Sequence, residues 1–289
     1  MNDLTTKVVE RIGFDKVISL LPKRIKLLSI IPDDILFNFP FPGVFDGKKF
    51  LIQKFRIQIL PRYNIHLCRD KGDSQACLFG IANGFNNLPK LPNIKAEIES
   101  IKSIISPFCK VNCFLNEEAT KDEVIQGFKK AKYLHLASHG SFSVEEPLDS
   151  GVLLANNDLL SIREVIGLGS GNAPEFISVS SCWAADKIIL QNRWIISLPE
   201  SFWIAGCKGV LGNLWSVEDE GGMTFIKAYY KYFRKHEANK ALQKAQIEMI
   251  NSLHYADPYN WAGFQLYGNC QSIKRSRNNW SFFGFHTIL

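Results

Sequence analysis

The sequence lacks any long apolar run. Across its 289 residues, lysine, arginine, aspartate or proline interrupts every candidate stretch of about 18 residues, the length that a membrane-spanning helix requires. A membrane span is therefore excluded. The first 24 residues mix acidic residues with lysines, which is typical of neither a secretory nor a mitochondrial targeting segment.

The sequence also has only a small excess of positive charge and no regularly spaced set of cysteines that would indicate a disulfide framework. Its 34 basic and 28 acidic residues give a net charge of +6, which is too dilute to indicate nucleic-acid binding by itself. The seven cysteines form an odd, irregularly spaced set that indicates free thiols, so we expect a cytoplasmic protein. Cys109 and Cys113 lie four residues apart, but no second pair with ligand spacing follows, and we expect no zinc site.

What the sequence does contain is typical of a globular α/β protein. Hydrophobic residues make up 46% and charged residues 21%, which excludes disorder over most of the chain. At about 150 residues per domain, the length allows two domains or one large α/β unit. Helix patterns cover residues 93–106, 120–130, 199–205, 219–234 and 238–253. The capping pairs Thr120 with Glu123 and Ser161 with Glu164 predict two helix starts, the second of a brief helix. The helix patterns alternate with strand patterns at residues 25–31, 50–60, 77–82, 133–138, 176–181, 208–215 and 261–267. This alternation predicts a largely parallel sheet with helices on both faces.

A histidine and a cysteine follow two of these strand patterns. His139 and Gly140 come directly after residues 133–138, and Cys182 comes directly after residues 176–181. Because the carboxyl ends of parallel strands share one edge of a sheet, the two side chains could meet there. The imidazole could then assist the thiol as a base, while the Gly140 N–H helps to hold an oxyanion. By spacing alone a buried structural cysteine stays an open alternative, and His135 is interpreted as packed core.

Most of the chain, from about residue 27 to residue 268, resembles the CHAT-type peptidases, which are relatives of caspases and separase. The resemblance is carried by motifs that occur in the family's order. They are I-I-P-D-D-I-L-F-N-F-P-F at 30–41, E-E-A-T at 117–120, His139-Gly140, L-D-S-G-V-L-L at 148–154, S-S-C at 180–182, A-G-C-K-G-V-L-G-N-L-W-S-V-E-D at 205–219 and W-A-G-F-Q-L-Y-G at 261–268.

This resemblance implies a fold, an organisation and an activity. The fold would be α/β and caspase-like, with a mostly parallel sheet flanked by helices. Residues 1–120 would form a degenerate caspase-like half, residues 121–268 the catalytic half and residues 269–289 a basic and aromatic extension. The activity would be that of a cysteine endopeptidase with His139 as catalytic histidine and Cys182 as nucleophile. No metal or organic cofactor is expected. The alternative is a catalytically silent caspase-like adaptor.

The resemblance also implies a specificity residue and a mode of control. The segment ending at Asp219 is similar to the separase segment whose final aspartate lines the pocket for the substrate arginine, and Trp183 would narrow the same cleft. Asp219 could instead serve as the N-cap of the helix that begins there. The resemblance implies a protein substrate. Because no pro-segment precedes the motifs, we expect control by loops near the cleft, at residues 141–149 and 188–197, or by a regulatory protein partner in trans.

The last residues change in character. Residues 274–286, K-R-S-R-N-N-W-S-F-F-G-F-H, combine basic side chains with one tryptophan and three phenylalanines. Such a mixture can bind single-stranded nucleic acid by charge and stacking. We favour docking of the aromatic side chains on the domain or on a partner protein, and we do not expect direct binding of nucleic acid.

Overall fold

A single large sheet organises the chain. The computed structural model describes residues 13–60, 74–83, 88–141, 143, 145–181, 188–190, 194–270 and 272–273. The helices in this part of the chain are α1 (Phe14–Leu20), α2 (Leu51–Lys54), α3 (Ile94–Ile105), α4 (Lys121–Lys130), α5 (Ile162–Gly167), α6 (Leu198–Ile204), α7 (Asp219–Phe233) and α8 (Ala238–Ile250). None of these described helices is long and apolar enough to span a membrane.

Eight strands form the large sheet and five form two small ones. The large sheet contains β1 (Leu27–Ile30), β2 (Arg56–Ile59), β3 (Gln75–Gly80), β4 (Lys110–Leu115), β5 (Tyr133–Ala137), β9 (Phe176–Ser180), β12 (Gly209–Asn213) and β13 (Phe264–Gly268). The small antiparallel sheets contain β6 (Gly140–Ser141), β7 (Gly151–Leu153) and β8 (Leu159–Ser161), and the hairpin of β10 (Ile188–Leu190) with β11 (Trp194–Ile196).

The strand order of the large sheet is β1-β2-β13-β12-β9-β5-β3-β4. All neighbours are parallel except β12 and β13, which pair antiparallel from Gly209 opposite Gly268 to Asn213 opposite Phe264. The sheet therefore consists of a block of three strands and a block of five strands that run in opposite directions. The expected α/β class with a mostly parallel sheet is confirmed.

The central strands of the sheet are buried on both faces, as the unbroken apolar strand patterns predict. Every residue of β5 and of β12 is buried, and the ring of Phe264 in β13 stacks on Phe225 of α7 with 3.6 Å between the ring centroids. Because helices cover the faces, side chains of the central strands cannot reach solvent from within the sheet. Side chains that act on a substrate from solvent are therefore confined to the strand ends and the loops.

Two helices begin at the residues that the sequence predicts. Thr120 accepts a hydrogen bond from the Glu123 N–H at 3.3 Å, which satisfies one free donor at the start of α4. Ser161 and Glu164 form a reciprocal capping box at the start of α5, with 3.2 Å from the Glu164 N–H to the Ser161 hydroxyl.

The predicted strand over residues 50–60 is wrong in its first half. Residues Leu51–Lys54 form the short helix α2, and only Arg56–Ile59 are extended. The Gln53 side chain accepts the Phe50 N–H at 2.8 Å and thereby caps the helical turn. The Ile52 carbonyl accepts a hydrogen bond from Gln243 of α8 at 2.9 Å, so tertiary contacts outweigh the local apolar pattern here.

The predicted division of the chain at residue 120 stays a prediction. Strands β1 to β4 come from the first 120 residues, and they occupy both edges of the one continuous sheet. The predicted extension over residues 269–289 lies mostly outside the described residues, which end at residue 273.

A buried polar cluster lies between β5, α3 and α7. His135 has no exposed surface, and its Nε2 lies 2.9 Å from Glu97 Oε1. The Tyr230 hydroxyl lies 3.4 Å from His135 Nδ1. Because the carboxylate can only accept, His135 Nε2–H donates to Glu97. The interpretation of His135 as a core residue is confirmed.

We expect the E97A variant to lower the free energy of unfolding by about 3 kcal/mol, because it leaves the buried His135 N–H without an acceptor. Urea denaturation followed by circular dichroism measures this loss. The matched control is E99A on the exposed face of α3, which should stay within about 0.5 kcal/mol of wild type. Equal losses in the two variants would contradict a structural role for the cluster.

Candidate active site

His139 lies just beyond the carboxyl end of β5, and its backbone is fixed on both sides. The Ser138 hydroxyl donates to the Leu153 carbonyl at 2.6 Å, and the Leu153 N–H donates to the His139 carbonyl at 2.9 Å. The small sheet of β6, β7 and β8 therefore holds the residues that leave β5. The imidazole is 8% exposed, so it lies at the rim of the core.

The imidazole is oriented by a backbone carbonyl. His139 Nε2 lies 2.8 Å from the Pro89 oxygen, which can only accept a hydrogen bond. Nε2 therefore carries the proton, and Nδ1 is the basic nitrogen of the neutral ring. This is the tautomer in which Nδ1 can accept a proton from a thiol.

Gly140 begins β6 and pairs with Val152 of β7. Because the Leu153 N–H bonds to the His139 carbonyl, Gly140 and Val152 form a non-hydrogen-bonded pair. In such a pair the N–H groups of both residues point away from the partner strand. The Gly140 N–H is therefore not used by the β6–β7 ladder.

Cys182 and Trp183 lie outside the described residues, so their predicted roles stay predictions. The neighbouring register is described up to the end of β9. Ala137 of β5 lies opposite Ser180 of β9, and the Ser138 N–H lies 3.3 Å from the Ser180 carbonyl. His139 and Cys182 thus each come two residues after a paired position in two adjacent parallel strands.

Asp219 is the first residue of α7, and Glu218 before it is the N-cap residue. The alternative that Asp219 is the N-cap is therefore wrong. The Asp219 carboxylate is half-buried, and its Oδ2 accepts the N–H of Asn93 at 3.1 Å. Asn93 precedes α3, so Asp219 joins the amino ends of two helices.

Residues 88–93 connect the two candidate positions, and the sequence analysis did not anticipate this. Pro89 in this segment binds His139, and Asn93 four residues later binds Asp219. The segment carries a pair of prolines in L-P-K-L-P-N, between β3 and α3. Both contacts use backbone atoms, which any residue carries, so residue identity alone could not reveal them.

The cysteines of the described residues are poor nucleophiles. Burial raises the pKa of the Cys109 thiol to about 11, and it also raises the pKa of the Cys77, Cys113 and Cys270 thiols. Cys207 is fully buried in the core. Because the thiolate is the reactive form, these five thiols should be largely inert near neutral pH.

A family model for the CHAT domain matches residues 5–269. The chain belongs to the CHAT domain family. Among curated proteins, this CHAT chain is 36% identical over 187 residues to human tetratricopeptide repeat protein 28, which covers 52% of the chain and 8% of that protein. The mouse protein of the same name is 29% identical over 119 residues, which covers 41% of the chain and 4% of that protein. The chain thus spans less than a tenth of the length of these curated relatives.

Solved structures share the fold of this CHAT chain. The Arg-specific cysteine proteinase gingipain R matches with a TM-score of 0.60 and 14% identity, over 84% of this chain and 62% of that chain. The complex of Porphyromonas gingivalis RgpB pro- and mature domains matches with a TM-score of 0.62 and 13% identity, over 93% and 69%. The Saccharomyces cerevisiae separase–securin complex matches with a TM-score of 0.54 and 16% identity, over 80% and 14%. The predicted CHAT resemblance and the caspase-like fold class are confirmed.

We expect the D219A variant to lower the free energy of unfolding by about 1 kcal/mol, because it removes the acceptor of the Asn93 N–H at a partly exposed site. The D219N variant should lose less, since its amide oxygen can still accept. Thermal and urea denaturation measure both changes, with E220A in the same exposed turn as control. If E220A were as damaging as D219A, loss of charge at the start of α7 would explain the effect and the Asn93 contact would not.

Proposed function

We propose that this CHAT domain is a cysteine endopeptidase in which His139 and Cys182 form the catalytic dyad. The observation that carries the proposal is the placement of His139, at the end of a buried parallel strand with its Nε2–H fixed by the Pro89 carbonyl. The strand beside it leads directly to Cys182 in the sequence. The fold shared with gingipain R, a cysteine proteinase, supports the same reaction class.

The reaction follows from the tautomer of His139. Nδ1 accepts the proton of the Cys182 thiol, and the thiolate attacks the carbonyl carbon of the scissile bond. The developing oxyanion is held by N–H groups, for which Gly140 and the backbone of Cys182 are proposed. When the tetrahedral intermediate collapses, His139 gives its proton to the leaving amine and the C–N bond breaks. Water then loses a proton to His139 and attacks the thioester carbonyl. The C–S bond breaks, the acid is released, and His139 returns the proton to the Cys182 sulfur.

The decisive experiment is covalent labelling with an electrophilic peptide probe. We expect wild-type protein to react at Cys182, no reaction in C182A, and a rate at least 100-fold lower in H139A, because the thiol then loses its base. Mass spectrometry of the digested protein identifies the modified residue. The control is C113A, which removes a half-buried thiol and should leave the labelling rate unchanged.

Absence of labelling in wild type, with candidate partner proteins present, would instead favour the adaptor. A silent domain should still bind its partner equally well as wild type and as C182A. Pull-down of the same partner by both proteins, without cleavage in either, would therefore contradict the proposed peptidase activity.

We further propose that the substrate side chain before the cut is arginine, bound by Asp219. The Asn93 N–H occupies one acceptor position of Oδ2, which leaves Oδ1 and the second position of Oδ2 for a guanidinium. Residues 88–93 contact both His139 and Asp219, which supports a substrate-binding role for Asp219 near the proposed dyad. Gingipain R, which shares the fold, is described as Arg-specific. Trp183 would form a wall of this pocket.

A peptide library tests this preference. Wild type should cleave after arginine at least tenfold faster than after lysine, because lysine makes only a point contact. D219N should lose the preference while keeping its fold, and E220A should retain it. Wild-type preference for leucine, methionine or aspartate would contradict the assignment without affecting the proposed dyad.

Control by a partner protein is also proposed. The segment after β6 is tied to α5 at the surface, where Arg163 Nε lies 3.0 Å from Asp149 Oδ1 and both side chains are exposed. An exposed ion pair of this kind stabilises a loop only weakly, so a bound protein could rearrange it. The separase of the similar structure is in complex with securin. Full activity of the isolated chain on its natural substrate would rule out the need for a partner.

A further inference from the structure

A cleft of about 740 Å³ lies between α8 and the starts of β1 and β2. In the sheet, β2 lies four strand positions from β5, which corresponds to about 19 Å at the usual strand spacing. The cleft is therefore separate from the His139 site. Its volume lies within the usual range for small-molecule sites.

The lining is strongly basic. Of the lining residues that the structure describes, five from three parts of the chain are lysine or arginine, and Glu237 is the one carboxylate. The cations are Lys26, Lys54, Arg56, Lys235 and Lys240. They are distant in sequence and are brought together by the packing of α8 against β2. A positive surface of this density is not a consequence of the net charge of the chain, which is only +6.

Two of the five cations are already neutralised. Lys54 pairs with Asp46, which lies outside the lining, and Arg56 Nη1 lies 3.6 Å from Glu237 Oε2. In the part of the chain that the structure describes, no carboxylate lies within 4.0 Å of the ammonium groups of Lys26, Lys235 or Lys240. The Lys240 ammonium donates instead to Gln243 Oε1 at 2.8 Å. Three positive charges thus line the cleft with no ion-pair partner among the described residues.

The positive charges of this cluster contribute to lowered pKa values of two side chains that line the cleft. Burial lowers the pKa of Lys240, and the nearby Lys244 and Arg56 lower it further. Burial and the charges of Lys244, Lys240 and Lys235 also lower the pKa of His236, which lines the same cleft. An anion in the cleft would oppose the contribution of the positive charges to both pKa shifts.

We propose that this cleft is a binding site for a compact polyphosphate anion. Several ammonium groups around one volume match a ligand with several clustered negative charges. Among the described residues, those that line the cleft include no phenylalanine, tyrosine or tryptophan, and Ile247 is their one aliphatic apolar side chain. A nucleobase would normally stack on an aromatic ring, and an apolar peptide would need more hydrophobic surface. The ligand is therefore recognised by its charge.

Backbone groups of the α8 amino end do not serve this site. The Ala238 N–H donates to the Cys270 carbonyl at 3.0 Å, and the Asn239 N–H donates to Asn269 Oδ1 at 3.2 Å. Because these donors are taken, the lysine side chains have to supply the binding energy. Neutralising them should therefore remove the site while leaving the helix start unchanged.

Isothermal titration of the full chain with sodium tripolyphosphate tests the proposal. We expect one ligand per chain in 50 mM NaCl, with weaker binding in 150 mM NaCl because salt screens the charges. The K235Q/K240Q variant should bind at least tenfold more weakly. The matched control K129Q/K130Q removes the same charge from the exposed end of α4 and should stay within twofold of wild type. A single K26Q variant, at an exposed residue before β1, should weaken binding about threefold. It tests the site independently if the double variant fails to fold.

A second readout locates the ligand. Nuclear magnetic resonance titration of the histidine ring protons, with H236Q for assignment, should show that tripolyphosphate raises the pKa of His236, because an anion stabilises the imidazolium. Failure of wild type to bind in 50 mM NaCl would overturn the proposal, as would equal affinity of wild type and K235Q/K240Q. At least tenfold tighter binding of ATP than of tripolyphosphate would also overturn it, since the nucleoside would then be recognised. These outcomes do not depend on labelling of Cys182.

Discussion

The parallel pairing of β5 with β9 is the constraint on which the rest of the site depends. Both strands are buried on both faces, so their side chains pack in the core and their functional residues can only follow the strand ends. The pairing of Ala137 with Ser180 then fixes where the chain leaves β5, and therefore the position of the His139 backbone at the sheet edge. A shift of one residue in this register would turn every side chain of the strand to the opposite face of the sheet. The packing of both faces opposes such a shift.

The loop after β3 contacts both His139 and Asp219. Its Pro89 carbonyl selects the tautomer of His139, and its Asn93 N–H holds the Asp219 carboxylate. A histidine held only by packing could rotate or exchange its proton between the two nitrogens. A backbone acceptor prevents this without adding a charge beside the ring. The proposed base and the proposed specificity residue are therefore positioned by one short segment.

The local patterns in the sequence predicted much of the fold. The capping residues Thr120 and Ser161 marked helix starts correctly, because the side chain and the N–H that it caps are only three residues apart. The reversed direction of β13 was not predictable, since an apolar strand has the same pattern in either direction. The helical turn at Leu51–Lys54 was missed because its stabilising contact comes from Gln243. The basic cleft was missed for the same reason, since Lys26 lies more than 200 residues before Lys235 and Lys240 in the sequence.

The strand order has a consequence for how the chain can assemble. The pair of β1 and β2 joins the large sheet only through β13, where Ile59 pairs with Tyr267. During synthesis, β1 and β2 therefore cannot join the large sheet until β13 has been made. Such long-range closure is slow because the loop entropy is lost before the contacts form. An early fragment of the chain would expose an unpaired strand edge, so premature termination should favour aggregation over a partly folded domain.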